Sequence, residues 1–326
     1  MDMNRRSFGG LALGAVLSGP AISASALAAA PAPVAYPHRV VTLVTHSSPG
    51  GGSDVFLREL IRHLRKYINA TFIIENVTGG SGARSITRVA AGKPDGSILY
   101  ATTPTYIYAS LMSRTPHTFR DLEPVVNLFT DSEIVYTRAD GPFRTMKDVI
   151  YKAKTARGRW GAANPASLER QAAEELKRQA KVNAAIVSHE GGGDLMINVL
   201  NGTLDIGVGE IAETRAQLQG NKIRVLATFN PARLPSFPDV PTIKDLGYPV
   251  VMEKFRGLAG PKGMPANIIA IWEQAAQRVL ADPDYKRAYE NEALIPNYMA
   301  HDRYAPFIAK FADNTTQFLK QNGVIR

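Results

Sequence analysis

The sequence predicts an α/β protein made of two lobes, and three observations support this fold class. Short β-branched runs alternate with amphipathic helical stretches from residue 39 onward. Helical stretches separate successive strands, which indicates parallel strands joined by right-handed crossovers. The same alternation starts again near residue 133, after a proline-bearing stretch at 122–124. We therefore assign residues 36–132 together with 255–326 to lobe 1, and residues 133–254 to lobe 2.

The first thirty residues differ from the rest and predict an export signal. Paired arginines within residues 4–8 precede a short apolar run and an alanine-rich stretch, which resembles a twin-arginine signal. Glycine, serine and proline interrupt the run well before the roughly 20 apolar residues that a membrane anchor needs. We expect residues 1–30 to be a twin-arginine-like signal that is cleaved near Ala28 or Ala30, and the protein to act in the periplasm.

In lobe 1, β-branched runs predict strands at residues 40–44, 71–75 and 97–101. The first helix carries one apolar face, formed by Phe56, Leu57, Leu60, Ile61 and Leu64. A second helix is predicted at residues 83–91, between the second and third strands.

In lobe 2, the same criteria predict strands at 133–136, 159–162, 184–188, 204–208 and 223–228. Helices are predicted from Lys147 and over 167–180 and 194–200, where the latter two follow turns rich in Gly, Pro, Asn or Ser.

The chain then returns to lobe 1. Prolines at 235, 238 and 241 oppose regular structure, and residues 257–261 are the predicted return crossing. Beyond them the chain is predicted to be helical, with Pro265 and Pro283 in first helical turns and Asp282 as a cap. One helix presents an apolar stripe of Tyr304, Phe307, Ile308, Phe311 and Phe318.

Composition excludes several classes of site. The chain has no cysteine, which rules out disulfides, thiolate zinc sites and cysteine nucleophiles. None of the six histidines pairs with another at metal-ligand spacing, so we expect no metal and no cofactor. The net charge of +9 favours anionic ligands, but the basic residues are scattered along helices, so nucleic acid is not a predicted partner.

The turn at residues 46–54, after the first predicted strand, is the leading candidate site. Its three glycines allow the main chain to approach a ligand, and a helix N-terminus offers free N–H groups to a carboxylate or phosphate. Ser53 or Asp54 is expected to cap this helix. The turn lacks the Gly-Lys-Ser/Thr of a phosphate-binding loop and the spaced glycines of a dinucleotide fingerprint. A tight structural turn without a ligand is the alternative.

Three further turns join a strand to a helix. Residues 162–167 end in Ser167, a candidate cap whose neighbouring N–H groups would face a cleft. The glycines at 79–82 are interpreted as structural. The turn at 189–193 is a poorer anion site because it contains Glu190.

Several ordered motifs make the chain resemble the substrate-binding proteins of tripartite tricarboxylate transporters, also called Bug receptors. The motifs span most of the chain: residues 50–54 (GGGSD), 75–82 (ENVTGGSG), 94–96 (PDG), 120–125 (RDLEPV), 202–205 (GTLD), 223–227 (IRVLA) and 241–242 (PT).

The resemblance implies a type II periplasmic binding protein fold, with two Rossmann-like lobes, crossover hinge strands and a ligand cleft between them. It also implies a protein without enzymatic activity or cofactor that holds a small carboxylate and delivers it to integral membrane transporter subunits. We expect a monomer. The residues assigned to the ligand are His46, Ser47, Ser48, Gly51, Gly52, Ser53, Asp54, Thr103, Ala163, Asn164, Ala166, Ser167, Gly209, Glu210 and Arg256.

The chain departs from the family pattern at the first turn and at the return crossing. His46 and Ser47 replace a proline and an aromatic residue, and residues 187–189 replace Val-Pro-Tyr. Residues 254–256 replace an aromatic pair, and Arg256 could bind a second carboxylate. A dicarboxylate ligand, aliphatic or aromatic, is the resulting hypothesis; a surface or hinge arginine is the alternative.

Two other functions remain open from the sequence. An exported hydrolase would use His46 and Asp54 in the cleft, since α/β lobes host many chemistries. A ligand-presenting component of a sensor kinase system is compatible with the receptor. A DNA-binding regulator is disfavoured, because the sequence predicts an export signal and shows no DNA-binding helices.

Overall fold

The computed structural model describes residues 33–321 and 323–326, so the predicted export signal lies outside the described residues. The strands in this part of the chain are β1 (Val34–Thr45), β2 (Ile68–Asn76), β3 (Ile98–Thr102), β4 (Leu122–Arg138), β5 (Gly158–Ala162), β6 (Ala184–Ser188), β7 (Ile206–Glu210), β8 (Ile223–Thr228), β9 (Glu253–Pro261) and β10 (Ile295–Met299). The α-helices are α1 (Gly52–Leu64), α2 (Ala83–Ala90), α3 (Pro104–Met112), α4 (Met146–Thr155), α5 (Leu168–Ala180), α6 (Gly192–Leu200), α7 (Ile211–Gln219), α8 (Ala266–Ala281), α9 (Pro283–Asn291) and α10 (His301–Gln321).

The strands form one mixed sheet with the order β2-β1-β3-β9-β4-β7-β5-β6, while β8 and β10 also pair with β4. Residues 122–132 of β4 pair with β9, and from Glu133 onward β4 pairs with β7 and β8. We call β1, β2, β3, β9, β10 and residues 122–132 the first half of the sheet. The second half consists of β5 to β8 and residues 133–138.

The prediction of parallel pairing is confirmed for only part of the sheet. β1 runs parallel to β2 and β3, and β5 runs parallel to β6 and β7, as helical crossovers require. Strands β4, β8, β9 and β10 pair antiparallel, so the sheet is mixed.

β4 begins inside the proline-bearing stretch at residues 122–124, after which the sequence predicts the second set of strands. These residues begin a strand of 17 residues that continues through both halves. Pro124 is tolerated because the β4 to β9 register shifts between Pro124 and Val126, and a bulge is one of the places where a strand accepts proline.

Three elements were not predicted from the sequence: helices α3 and α7 and strand β10. Helix α3 is buried at every residue from 104 to 109, so it lacks the one-sided apolar stripe that predicts a helix. Only Ile211 and Thr214 are buried in α7, which leaves too little apolar periodicity. β10 is exposed over its first three residues and pairs with β4 inside the region predicted to be helical.

Helices pack on the sheet through extensive apolar clusters. Trp272 lies in a cluster with α1, α8 and α9, whereas Trp160 lies in one with α4 and α5. The predicted apolar stripe of α10 is confirmed, because Phe255 of β9 contacts Tyr304, Phe307 and Phe311. This packing fixes the helices against the sheet, and it therefore fixes the positions of the turns that connect strands to helices.

The predicted caps are confirmed at α9, where Asp282 accepts hydrogen bonds from the backbone of Asp284 and Tyr285. Pro265 is the N-cap of α8 rather than a residue of its first turn. Over residues 33–321 and 323–326, no helix is long and apolar enough to cross a membrane.

Candidate ligand-binding site

The turn after β1 and the turn after β5 converge on one small cavity of about 20 Å³. A volume of this size admits about one water molecule. Eight predicted ligand-binding residues line it: His46, Ser47, Gly52, Ser53, Ala163, Asn164, Ser167 and Glu210. Seven residues without a prediction complete the lining: Thr105, Glu169, Glu190, Gly191, Gly192, Glu213 and Lys254. The two halves of the sheet therefore meet here in a closed arrangement.

Hydrogen bonds to the Asp54 carboxylate stabilise the first turn. The Asp54 carboxylate accepts hydrogen bonds from the Gly50 backbone at 2.9 Å, from Arg58 at 2.8 and 3.0 Å, and from Asn76 at 3.0 Å. The expected cap by Ser53 or Asp54 is wrong: Gly51 is the N-cap of α1 and supplies no side-chain acceptor. Asp54 shapes the turn and does not line the cavity.

The residues at the start of this turn are buried or half-buried. His46 Nδ1 lies 2.9 Å from the Tyr100 hydroxyl, and burial, reinforced by the nearby Lys254 ammonium, lowers the pKa of His46 to about 4. The His46 ring is therefore neutral at neutral pH. Ser47 accepts a hydrogen bond from Asn76 through its carbonyl oxygen, and Ser48 contacts Gly191 of the opposite half.

The second turn has the predicted geometry at its cap. The Ser167 hydroxyl accepts a hydrogen bond from the Arg170 backbone at 3.0 Å, which confirms Ser167 as the N-cap of α5. Asn164 accepts a hydrogen bond from the Ala166 backbone at 3.1 Å and lines the cavity with Ala163. Ala166 packs into an apolar cluster instead of lining the cavity.

Thr103 and Gly209 lie outside the cavity lining. Thr103 is the N-cap of α3, and its hydroxyl is buried without a hydrogen-bond partner among the described residues. Gly209 lies in β7 directly against the Glu213 carboxyl, where a larger residue would overlap that group.

A buried ion cluster surrounds Lys254, which the sequence did not assign to the site. The Lys254 ammonium lies 2.6 Å from Glu169 and 3.2 Å from Glu133, and it also contacts Glu210. Oxygen atoms of these three carboxyl groups lie within 4.8 Å of one another, a spacing suited to a bound cation. The chain supplies that cation itself, through Lys254.

Arg256 is the second cation of strand β9 and is fully buried. Its Nε atom donates to Asp131 at 2.5 Å, and its Nη2 atom lies 3.3 Å from a Glu210 oxygen. Its Nη1 atom lies 3.4 Å from the Ser53 hydroxyl, which places the guanidinium beside the N-terminus of α1. A surface position for Arg256 is excluded, and its guanidinium is engaged by carboxylates rather than lining the cavity.

The buried carboxyl groups differ in their protonation. Burial, followed by repulsion from Glu169, raises the pKa of Glu133 to about 8, and the same two causes raise the pKa of Glu213 to about 8. Burial would also raise the pKa of Glu169, but the Lys254 ammonium outweighs burial and the net pKa is lowered. Two of these acids therefore hold protons at neutral pH, which reduces the negative charge that their burial would otherwise trap.

A larger cavity of about 650 Å³ lies along α5, with Lys177 and Phe318 among its lining residues. It contains none of the predicted ligand-binding residues. The small cavity is the stronger candidate because backbone turns, hydroxyl groups and charged groups from both halves of the sheet converge on it.

Sequence signals for the missed residues are weak. Glu169 lies in the first turn of α5 and Glu213 lies three residues after Glu210, and both positions are ordinary for an acid near a helix N-terminus. The sequence predicts the turn at 189–193 to be a poorer anion site, yet Glu190, Gly191 and Gly192 line the cavity. Their convergence depends on the fold and is not encoded by any local pattern.

The fold and the two-sided site define the class of periplasmic binding proteins. A family model, "Tripartite tricarboxylate transporter family receptor", matches residues 56–324. The chain belongs to this receptor family.

Two relatives illustrate the similarity in sequence. The UPF0065 protein in gbd 5'region of Cupriavidus necator is 28% identical over 317 residues, which cover 94% of this chain and 95% of that protein. Protein BugT of Bordetella pertussis is 24% identical over 310 residues, covering 93% and 95%.

Two solved structures show the same fold. An R. palustris protein solved with adipate superposes with a TM-score of 0.83 at 21% identity, covering 88% of this chain and 98% of that one. MatC from Rhodopseudomonas palustris, with bound malate, superposes with a TM-score of 0.78 at 23% identity, covering 89% and 100%. The predicted type II periplasmic binding protein fold is confirmed.

Proposed function

We propose that this chain is a periplasmic receptor that captures a small carboxylate between two lobes and presents it to the integral membrane subunits of a tripartite transporter. The observation that carries the proposal is the convergence of the turns after β1 and β5 on one cavity, from opposite halves of the sheet. Family membership supports the transport role. Residues 1–30, with cleavage near Ala28 or Ala30, would export the chain.

Lobe closure is the proposed capture step. We take the lobes as residues 36–132 with 255–326, and residues 133–254. The change in the pairing partners of β4 between Ser132 and Glu133 supports this division. A cavity of about 20 Å³ cannot receive a molecule of the size of malate, so ligand entry requires the lobes to open. Contacts from both lobes would then stabilise the closed form, which the membrane partner recognises.

An exported hydrolase is the rival function. Its two candidate groups are occupied separately: Asp54 binds Gly50, Arg58 and Asn76, and His46 binds Tyr100. Among the described hydrogen bonds none joins His46 to Asp54. The receptor proposal is therefore the better supported of the two.

Thermal-shift screening of monocarboxylates, dicarboxylates and tricarboxylates tests the proposal, with malate and adipate included because relatives of this fold bind them. A ligand at about 100 times its Kd should stabilise the protein by about 2.7 kcal/mol and raise the melting temperature. Adipamide is the matched control, since it keeps the carbon chain and lacks both carboxylates.

Recovery of the bound compound distinguishes the two functions. Stoichiometric binding with the ligand recovered unchanged supports a receptor. Formation of a product would refute it, and the absence of any carboxylate-dependent shift would refute carboxylate capture.

A further inference from the structure

The side chain of Glu213 crosses from the second half of the sheet to the N-terminus of α1. One carboxyl oxygen, Oε2, accepts a hydrogen bond from the Gly52 backbone at 3.1 Å, and Oε1 accepts one from the Glu210 backbone at 3.2 Å. The carboxyl group also lies against Gly192, the first residue of α6. One carboxyl group of the chain thus contacts the N-terminal residues of α1 and α6, and accepts from the N-cap of its own helix, α7.

These helix ends are suited to an anion. The N-caps of α1 and α6 are Gly51 and Gly191, and neither supplies a side-chain acceptor for the free N–H groups. Helix α1 has 13 residues, so its N-terminus carries a substantial partial positive charge. A side chain on Gly52 or Gly192 would overlap the carboxyl groups beside it, so the close approach depends on glycine.

Arg256 provides an independent indication of an anion site. Its Nη2 atom is buried and has no hydrogen-bond partner among the described residues, although it lies 3.3 Å from a Glu210 oxygen. It faces Gly52, because a Cβ atom built on Gly52 would lie 2.8 Å from it. The Glu210 carboxyl group also lies beside Gly52, but it makes no hydrogen bond to this Nη2 atom. A buried guanidinium N–H without a hydrogen bond is costly, and a ligand carboxylate in better alignment would satisfy it.

We propose that the Glu213 carboxyl group is an internal placeholder for the carboxylate of the ligand, held at the N-terminus of α1 beside Arg256. This proposal rests on the proposed receptor function. An incoming carboxylate displaces Glu213, accepts the hydrogen bond of the Gly52 backbone and binds the free Nη2 position of Arg256. Glu213 therefore stabilises closure without ligand and competes with the ligand for the same donors.

The protonation of Glu213 is consistent with a placeholder. Burial, followed by repulsion from Glu169, raises the pKa of Glu213 to about 8, so the acid at the helix end is largely neutral at neutral pH. An ionised carboxylate is a stronger acceptor for the Gly52 N–H group and a stronger partner for Arg256 than a neutral acid. A ligand carboxylate can therefore displace Glu213 from the helix end.

The experiment uses Glu213→Ala and the similarly sized Glu213→Gln, which guards against a folding defect of the smaller side chain. The control is Asp148→Ala, because Asp148 is the corresponding capping-box acid of α4 and lies outside the cavity. The chain has no cysteine, so spin labels at Arg62→Cys and Tyr151→Cys, both strongly exposed, report the separation of α1 and α4.

Pulsed electron resonance measures the distance between the labels without ligand, and calorimetry measures affinity for malate and adipate. We expect Glu213→Ala to shift the ligand-free protein to longer distances and to bind the carboxylate about 2- to 10-fold more tightly, the effect of one competing hydrogen bond that is removed. Glu213→Gln keeps the size and a neutral acceptor, so both measurements should change in the same direction but by less. The Asp148→Ala control should lose some stability and change neither measurement.

A ligand-free Glu213→Ala protein that stays closed, or an affinity that is unchanged or weaker, would overturn the placeholder. Binding of malate or adipate by the variants alone would support it, because Glu213 would then block the site. If neither the original protein nor the variants bind any carboxylate, the proposed function fails, while the label distances still decide whether Glu213 holds the cleft closed.

Discussion

Replacement of Lys254 by methionine tests whether the buried ion cluster stabilises the fold. The side chain of Lys254 is 3% exposed, and its ammonium contacts three carboxyl groups from β4, α5 and β7. Lys254→Met keeps the apolar stem and removes the charge, which leaves Glu169 and Glu210 without their principal cation. Removing one partner of a buried ion pair lowers the free energy of unfolding by about 3–5 kcal/mol.

The matched control is Lys262→Met, because Lys262 follows the same strand and its side chain is 61% exposed in a surface ion pair with Glu123 at 2.9 Å. A surface pair contributes about 0–1 kcal/mol, so the control should remain close to the original stability. Urea unfolding at pH 7 and pH 5 measures both variants. The loss for Lys254→Met should shrink at pH 5, where protons neutralise the stranded carboxylates. Equal losses for the two variants, or a loss independent of pH, would refute this reasoning.

Two further predictions concern the closed site and its pH dependence. Gly52→Ala places a Cβ atom against the Glu210 carboxyl group and should weaken closure by about 1–3 kcal/mol, which would be measured as a lower ligand affinity. Gly193→Ala is the control and should bind the ligand normally, because the nearest atom to its added Cβ would be 3.6 Å away. Because Glu133 and Glu213 have pKa values near 8 in the folded protein and 4.5 when unfolded, the folded state holds more protons, so unfolding free energy should fall from pH 6.5 to 8. Glu133→Gln should flatten this slope, and stability that rises over the same interval would contradict the assignment.

The elements predicted best are those whose signal is local. Hydrophobic periodicity located α1 and α10, and the strand-to-helix punctuation by glycine, proline and serine located the turns after β1 and β5. The Ser167 cap follows from the same short-range chemistry. These features could be predicted because neighbouring residues alone determine them.

The features that were missed depend on surroundings far away in the chain. Helix α3 is buried on most sides, which removes the amphipathic pattern, and the bulge that admits Pro124 into β4 exists only because β9 returns beside it. Lys254 is separated from Glu169 by 85 residues and from Glu210 by 44. No local pattern identifies such partners.

The departure from the family pattern at residues 254–256 has a physical explanation in these distant partners. The resemblance predicts an aromatic pair at this crossing, and two buried cations in its place would be unstable alone. Lys254 is matched by Glu133, Glu169 and Glu210, and Arg256 is matched by Asp131 and Glu210. The substitution is therefore one part of a coupled set of charged residues spread over three strands and a helix.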